Sequence, residues 1–387
     1  MTTTAAVAVI GGGVIGASIA YHLARRGVED VLIIDSAEGP GAGSTGRATG
    51  GFRAQFATPI NIQLSLMSRE ALLRFESETG IDPGYRQVGY LWLASSEKEL
   101  AALRAAQHVQ HAQGLLEART LAREEIAAVN TLVATDDLVG ATFCPTDGYI
   151  WPLEILRGYL ESGERLGVHF LWDAQCVGMT RSGANRITQV ITTKGPVDVD
   201  AVVNAAGPWA AHIASMAGID LPVSPLRRQA AFTAPCPAVP ADMPMTIFVA
   251  NGFHARAREG RALVCWPNLE EPGDPGDLQA DPEWIDQVQA MAIRHFPVLR
   301  NAPVDRSLCY AGLYEMSPDH HAILGVSPHC ENMYFANGSS GHGVMHSPAI
   351  GAIISDMITG REPDLDVSSL RPSRFEEGRT FPFVDLL

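Results

Sequence analysis

The chain has 387 residues, 46% hydrophobic and 18% charged, which suits a globular protein with a sizeable core and excludes a disordered chain, a coiled coil or a collagen-like repeat. Its 28 basic against 43 acidic side chains leave a net charge of −15, the wrong sign for displacing counterions from nucleic acid. Six cysteines, at 144, 176, 236, 265, 309 and 330, form no C-x-x-C pair and no zinc spacing, as expected of reduced thiols in a cytoplasmic protein.

Ala6 to Ile10 is a short apolar run suited to a buried parallel strand. Gly11-Gly12-Gly13-Val14-Ile15-Gly16 follows, then a helical stretch from Ala17 to Arg26 closed by Gly27. The apolar run 5–20 has no basic leader and is interrupted by these glycines, so it is not read as a signal peptide. No later stretch reaches the roughly 20 unbroken apolar residues of a membrane span, and membrane insertion is not expected. Val31 to Ile34 reads as a second buried strand, ending in Asp35. This is a βαβ opening with G-x-G-x-x-G at its turn and an acid about 20 residues on, the fingerprint of a dinucleotide site. Gly11 permits the tight turn, Gly13 lets the backbone approach a pyrophosphate, and Gly16 lets helix and strand pack closely. The N–H groups of the first helical turn face the phosphates, and Asp35 can accept from both ribose hydroxyls. No G-K-[ST] occurs anywhere, which removes a P-loop NTPase.

A Gly/Ser/Thr-rich loop spans 39–52, followed by a helix from about Pro59 to Thr79, a strand-like stretch from Arg86 to Ala94 and a helix from Ser96 to Gln113. A short helix is expected over Leu121 to Val129, a turn at Asp147-Gly148-Tyr149 and a helix from Pro152 to Leu166. Strands are expected at 168–177, 187–193 and 197–203, the last running into Asn204-Ala205-Ala206-Gly207-Pro208-Trp209. Residues 220–315 are Pro-rich with short strand-like pieces and one helix near 282–296. A last strand, Met333 to Ala336, leads into Gly338-Ser339-Ser340-Gly341-His342-Gly343 and a helix ending near Gly360. Strand–glycine–helix at the start, an apolar strand into Ala-Ala-Gly-Pro-Trp in the middle and strand–glycine loop–helix near the end suggest one nucleotide-binding domain in three pieces with a second domain inserted.

Four segments carry a resemblance: VIGGGVIGASIAYHLARRG at 9–27, GSTGRATGGFR at 43–53, VVNAAGPWA at 202–210, and LYEMSPDHHAILG at 313–325 continuing to NGSSGHG at 337–343. In this order they resemble the D-amino-acid oxidase superfamily of FAD enzymes, in particular its sarcosine oxidase, glycine oxidase and proline dehydrogenase β-subunit branch. The resemblance implies an α/β (α+β overall) fold, with a discontinuous Rossmann-like FAD-binding domain and an inserted, mostly antiparallel β-sheet substrate domain. The expected division is 1–85, 150–219 and 320–387 for FAD, and 86–149 and 220–319 for substrate. The implied cofactor contacts are Gly11, Gly13, Val14, Ile15, Gly16, Asp35, Ser36, Ser44, Thr45, Gly46, Val177, Ala206, Gly207, Trp209, Gly338, Ser340, Gly341, His342, Gly343 and Val344. The flavin would lie between the domains, with the 338–343 loop at its pyrimidine end. A helix beginning after Gly341 offers free N–H groups and a positive dipole end to the negative charge of reduced flavin. Arg53 and Tyr314 match an arginine and a tyrosine of the substrate site in monomeric sarcosine oxidase, and His342 belongs to the flavin-side motif. These three are the candidate catalytic residues, with Arg47 sharing the loop of Arg53.

The sequence also departs from that relative. Its second carboxylate-binding cation, a lysine, is Met345 here, with His346 beside it. Its oxygen-activating lysine has no counterpart, because only Lys98 and Lys194 occur. The flavin-bonding cysteine matches Gly312, and the histidine that bonds flavin in dimethylglycine oxidase-like enzymes falls near Arg47, so FAD is expected to be non-covalent. Cys309 is read as a small buried residue. Thr146-Asp147 stands where heterotetrameric sarcosine oxidase attaches FMN to a histidine, so no second flavin is expected. His320-His321 and the i, i+4 pair His342 and His346 lack the Glu of H-E-x-x-H, and no metal is expected. His254 is a candidate pocket wall; Trp151, Trp209 and Trp266 are read chiefly as packing residues.

The implied reaction is oxidation of a secondary or N-methyl amino acid, sarcosine- or proline-like, by hydride transfer from the carbon next to nitrogen to the flavin, giving an imine. The electron acceptor is oxygen or another carrier. The alternatives are a D-amino-acid dehydrogenase or oxidase, a non-catalytic flavoprotein assembly factor and, last, a nicotinamide dehydrogenase, which would leave the loop near residue 340 without a counterpart.

Overall fold

A computed structural model of the chain describes residues 3–183, 185–267 and 277–382. Two eight-stranded sheets organise these residues. The first runs, edge to edge, through Ile323–Ser327, Cys330–Asn337, Gly195–Asn204, Thr3–Ile10, Val31–Ile34 and His169–Leu171. Its strands are parallel except for the edge pair Ile323–Ser327/Cys330–Asn337, and the antiparallel ribbon Cys176–Ser182/Arg186–Thr192 hangs from Gly195–Asn204. Val7, Val9, Ile33 and Val203 pack on one face of this sheet and Ala8, Ile10, Leu32 and Val202 on the other, the two-sided burial that makes a parallel strand read as a continuous apolar run. Across one face, the helices Val14–Arg25 and Gly343–Ile358 touch at Gly351, where a Cβ would stand 2.0 Å from Ser18 Oγ.

The second sheet has the order Tyr310–Met316, Ser224–Phe232, Arg261–Cys265, His254–Arg258, Met245–Phe248, Tyr90–Ala94, Gly140–Cys144 and Arg119–Ala122. It is antiparallel apart from Met245–Phe248 beside Tyr90–Ala94. One face packs against the helix Pro282–His295 through Trp284, Ile285 and Val288. The Pro-rich stretch is therefore the source of most of this sheet; residues 268–276 of it lie outside the described residues.

Several element limits differ from expectation. The helix Pro59–Thr79, by contrast, keeps its expected limits, bracketed by Thr58-Pro59 and by Gly80 with its left-handed φ of 81°. The stretch 86–94 contributes only Tyr90–Ala94, because Arg86 instead bridges Tyr149. Leu121 belongs to a strand, and the helix begins at Arg123. The expected strand 168–177 is two pieces, His169–Leu171 and Cys176–Ser182, divided by Asp173 at φ 51°. The strand Ile323–Ser327 was not expected at all. Among the described residues no helix is long and apolar enough to cross a membrane.

Candidate functional site

The glycine turn is sterically compulsory. Gly11 has φ +111° and a Cβ there would stand 2.3 Å from Ala205 O, while a Cβ on Gly16 would stand 1.9 Å from Gly11 O. Asp35, at the end of the second strand, grips this turn: its Oδ2 accepts from Gly12 N at 2.6 Å and its Oδ1 from Ala37 N at 2.8 Å. Thr45 Oγ1 accepts from Val14 N at 3.1 Å, so the Gly/Ser/Thr loop is pinned to the first helical turn. Ser44 Oγ donates to Leu313 O at 2.8 Å, tying the same loop to the second sheet. Asn204 shapes the Ala-Ala-Gly-Pro-Trp turn by accepting from Ala206 N and donating to Ala210 O.

These loops and the second sheet enclose a cavity of about 770 Å³, within the range of cofactor sites. Gly11, Gly13, Val14, Ile15, Asp35, Ser36, Ser44, Thr45, Ala206, Gly207, Trp209, Ser340, Gly341, His342, Gly343 and Val344 line it. Four of the expected contacts do not. Gly16 and Gly46 sit behind the wall, where their missing side chains allow backbone to pass. Gly338 supports the loop at φ +67°. The Val177 side chain is half exposed, and Cys176, one residue earlier and on the opposite strand face, lines the cavity.

At the far end the cavity meets the second sheet. Strand register sets Arg228 beside Gly312, Ala230 beside both Tyr310 and Cys265, and Cys265 beside His254. Arg228, Tyr310, Gly312, Tyr314, His254, Cys265 and Trp266 line this end. Trp209 and Trp266 thus stand at the wall, Trp266 also packing against the core of the second sheet, and Trp151 is exposed beneath Arg86. The 338–343 loop faces them. Gly341, at φ +92°, lies so close to Tyr314 that a Cβ would meet its ring at 2.6 Å. The helix Gly343–Ile358 then starts with His342 as its N-cap, leaving its first amides without helical partners.

Arg53 lies outside this lining. It is buried, its guanidinium 3.7 Å above the Phe56 ring, with Nη1 donating to Gln55 O at 2.5 Å and Nη2 3.2 Å from His342 Nε2. Because arginine only donates, Nε2 of His342 accepts and the ring is neutral with its proton on Nδ1. Burial and the Arg53 charge hold the His342 pKa well below the usual value. Met345 faces the same segment, its sulfur accepting from Arg53 N at 3.4 Å. His346 is buried away from the cavity against Ser65, and burial takes its pKa down to about 3. Asp147 is structural: buried, with a pKa pushed up to about 6 by that burial, it accepts from the backbone of Ala54 and from the Gln55 side chain. Cys309 lies outside the cavity, against Asp305 O. Lys98 is exposed, and Lys194 pairs with Asp173 at 3.3 Å; neither lines the cavity.

Sequence reasoning missed Arg228, Cys265 and Glu315. Their period-2 alternation was available, but which alternate faces the cavity is set by pairing with strands up to 90 residues away. Glu315 is buried beneath the glycine loop, accepting from Ser339 N at 3.3 Å, while its Oε2, both polar atoms of Asn337 and Ser339 Oγ lack partners among the described residues. Burial pushes its pKa up to about 7, against the backbone hydrogen bond from Ser339. Between the unfolded value near 4.3 and about 7 the folded protein holds a proton that the unfolded chain has released, so stability falls as pH rises through this window. Glu315→Gln is therefore expected to gain stability on the wild type at pH 8, by about 1–3 kcal/mol, and to lose that advantage at pH 4. Urea midpoints across pH 4–8 check this.

The sequence profile of the FAD dependent oxidoreductase family (DAO) matches residues 6–357. The chain is 28% identical to FAD-dependent oxidoreductase domain-containing protein 1 of Bos taurus, over 96% of the chain and 85% of that protein. It is 27% identical to mitochondrial dimethylglycine dehydrogenase of Rattus norvegicus over 97% of the chain, and spans only 45% of that relative. Among solved structures, L-proline dehydrogenase from P. horikoshii superposes with a TM-score of 0.91 at 29% identity, over 98% of this chain and 100% of that one. Glycine oxidase from Geobacillus kaustophilus gives 0.85 at 25% identity, over 96% and 99%.

Proposed function

The chain belongs to the FAD dependent oxidoreductase (DAO) family, and from that premise we propose that it oxidises a secondary or N-methyl amino acid, sarcosine- or proline-like, to an imine. FAD, when bound, supplies the electron sink, taking a hydride from the carbon next to the substrate nitrogen. The observation that carries the reading is that one cavity joins a dinucleotide turn at one end to Tyr314, His342 and an arginine-bearing sheet face at the other. The relatives named for dimethylglycine, proline and glycine support a small amino acid as substrate.

The residues divide the work. Gly11, Gly13, Asp35, Ser36, Ser44 and Thr45 hold the nucleotide, and the free amides at the start of Gly343–Ile358 stabilise negative charge at the far end. Tyr314 and His342 face the substrate, and Arg53 fixes His342 as a neutral acceptor. A neutral His342 keeps a second positive charge away from the amine, which must be unprotonated to give up hydride. Residues 1–85, 150–219 and 320–387 form the cofactor unit and 86–149 with 220–319 the substrate unit. Gly312 and Arg47, at the positions of flavin-bonding residues, support non-covalent FAD, and cysteine usage supports a cytoplasmic location. With neither lysine at the cavity, the electron acceptor is a carrier other than oxygen.

Anaerobic titration of the yellow protein tests this. Sarcosine or L-proline is expected to bleach the flavin band, and admitting air to restore it slowly, over minutes rather than milliseconds. A flavin that no secondary amino acid reduces overturns the substrate class; recovery within milliseconds overturns the choice of acceptor.

A further inference from the structure

Resting on the reading of the substrate as an amino acid, we propose that Arg228, rather than Arg53, binds its carboxylate. Arg53 is already committed. One of its terminal nitrogens is held by Gln55 O, the other by His342, its face lies on Phe56, and it does not border the cavity. Presenting its fork to a ligand would break both bonds and leave His342 Nε2 buried without a donor.

Arg228 has the opposite character. It borders the cavity from the strand Ser224–Phe232, and its one hydrogen bond among the described residues runs from Nη1 to the carbonyl of its neighbour Arg227 at 3.5 Å, the outer limit of such a contact. No carboxylate pairs with it among the described residues, whereas Arg227 has Asp277 at 3.5 Å. A partly buried guanidinium stays charged, so the lack of a counter-ion is a cost that an incoming anion removes. Its surroundings suit a carboxylate. Register sets it beside Gly312, over which the Arg47 side chain lies, 3.1 Å from where a Cβ would stand, and alternation puts Tyr314 on the same sheet face. The Tyr314 hydroxyl has no partner among the described residues and supplies a second donor. The fork of Arg228 matches the two oxygens of a carboxylate in a way a lysine cannot.

The test uses the FAD-loaded protein, with Arg228→Gln, Arg228→Lys and Arg53→Gln beside the wild type. Acetate is titrated as a bare carboxylate probe, following the shift of the bound flavin's visible spectrum. Arg228→Gln is expected to weaken acetate binding about 10–100-fold, and Arg228→Lys, which keeps the charge and loses the fork, by an intermediate factor. In anaerobic reduction the preference for L-proline over L-prolinamide is expected to collapse in Arg228→Gln by a similar factor, mostly through the half-saturating concentration. Acetate affinity retained in Arg228→Gln, or lost only in Arg53→Gln, overturns the proposal. So does loss of FAD from both Arg228 variants, seen in the ratio of absorbance at 280 nm to that of the flavin band, since it would assign the residue to the cofactor. If no amine reduces the wild type but acetate binding still depends on Arg228, the carboxylate site stands and the amine-oxidation reading falls.

Discussion

Arg374→Ala is expected to cost the protein about 3–5 kcal/mol, because it strands a buried carboxylate. The Arg374 side chain is 0% exposed and that of Asp319 2% exposed, and they meet through two bonds of 2.9 Å, Nε to Oδ2 and Nη2 to Oδ1. The same guanidinium donates to the carbonyls of Leu370 and His321, so the truncation removes two further hydrogen bonds, although His321 O keeps the one from Ser317 Oγ at 2.7 Å. Burial alone would raise the Asp319 pKa, but the hydrogen bonds and charge of Arg374 outweigh it and hold the carboxyl below its usual value. The pair's contribution is thus present above the unfolded pKa near 3.9 and is lost as pH falls through the lower folded value. Asp319 also lines the cavity, as does the adjoining His321, whose ring stacks on Phe381 at 3.9 Å. FAD should therefore leave the variant at a lower temperature, with cofactor release preceding or accompanying unfolding. Removing both charges, in Arg374→Met with Asp319→Leu, is expected to be less damaging than Arg374→Ala alone. Flavin fluorescence during a thermal ramp measures all three, and equal melting of Arg374→Ala and wild type would show the pair to be dispensable.

Gly16→Ala is expected to yield a protein that does not retain FAD. The added methyl would stand 1.9 Å from Gly11 O and 3.2 Å from Val9 Cγ1. Backbone cannot yield as a side chain does, and Gly11 is itself wedged against Ala205 O. The clash can be relieved only by lifting the helix Val14–Arg25 off its strand, which moves the turn amides that face the cavity. An affinity loss of more than about 100-fold is expected from displacing several of these contacts together. Gly12→Ala is the informative comparison: its methyl would meet the Trp172 side chain at 2.5 Å, a group that can turn aside, so its loss should be smaller. Cofactor titration into the stripped proteins measures both. Equal affinity of Gly16→Ala and wild type would remove the close packing of helix and strand from the account.

The opening βαβ unit was legible because its signals are local. Gly11, Gly13, Gly16 and Asp35 lie within one βαβ unit, and their spacing declares the turn even though Ala205 later buttresses it. The helix Pro59–Thr79 was legible for the same reason, with its stop signals adjacent to it. The second sheet was not. Its strands are short, its proline content masks period-2 alternation, and Met245–Phe248 finds its parallel partner at Tyr90–Ala94. The site shows the same division. The glycine loops were placed by motif, whereas that Cys176 lines the cavity depends on which strand face the sheet turns inward, a one-residue choice that cannot be made without the sheet. The separation of Arg53 from the cavity lies in a contact with His342, 289 residues away in sequence. Nor could a short run such as Ile323–Ser327 announce itself without Cys330–Asn337 to pair with.

The order of strands in the first sheet has a consequence for biosynthesis. Thr3–Ile10 leaves the ribosome long before one of its flanking partners, Gly195–Asn204, which in turn needs Cys330–Asn337, and its helix is covered by Gly343–Ile358. The glycine turn is thus translated some 190 residues before Ala205, which buttresses it, and more than 300 before the 338–343 loop, which roofs it. Such long-range closure is slow relative to local folding. Cofactor capture accordingly waits for the 338–343 loop to emerge, and a nascent chain stalled before residue 330 should emerge colourless however much flavin surrounds it.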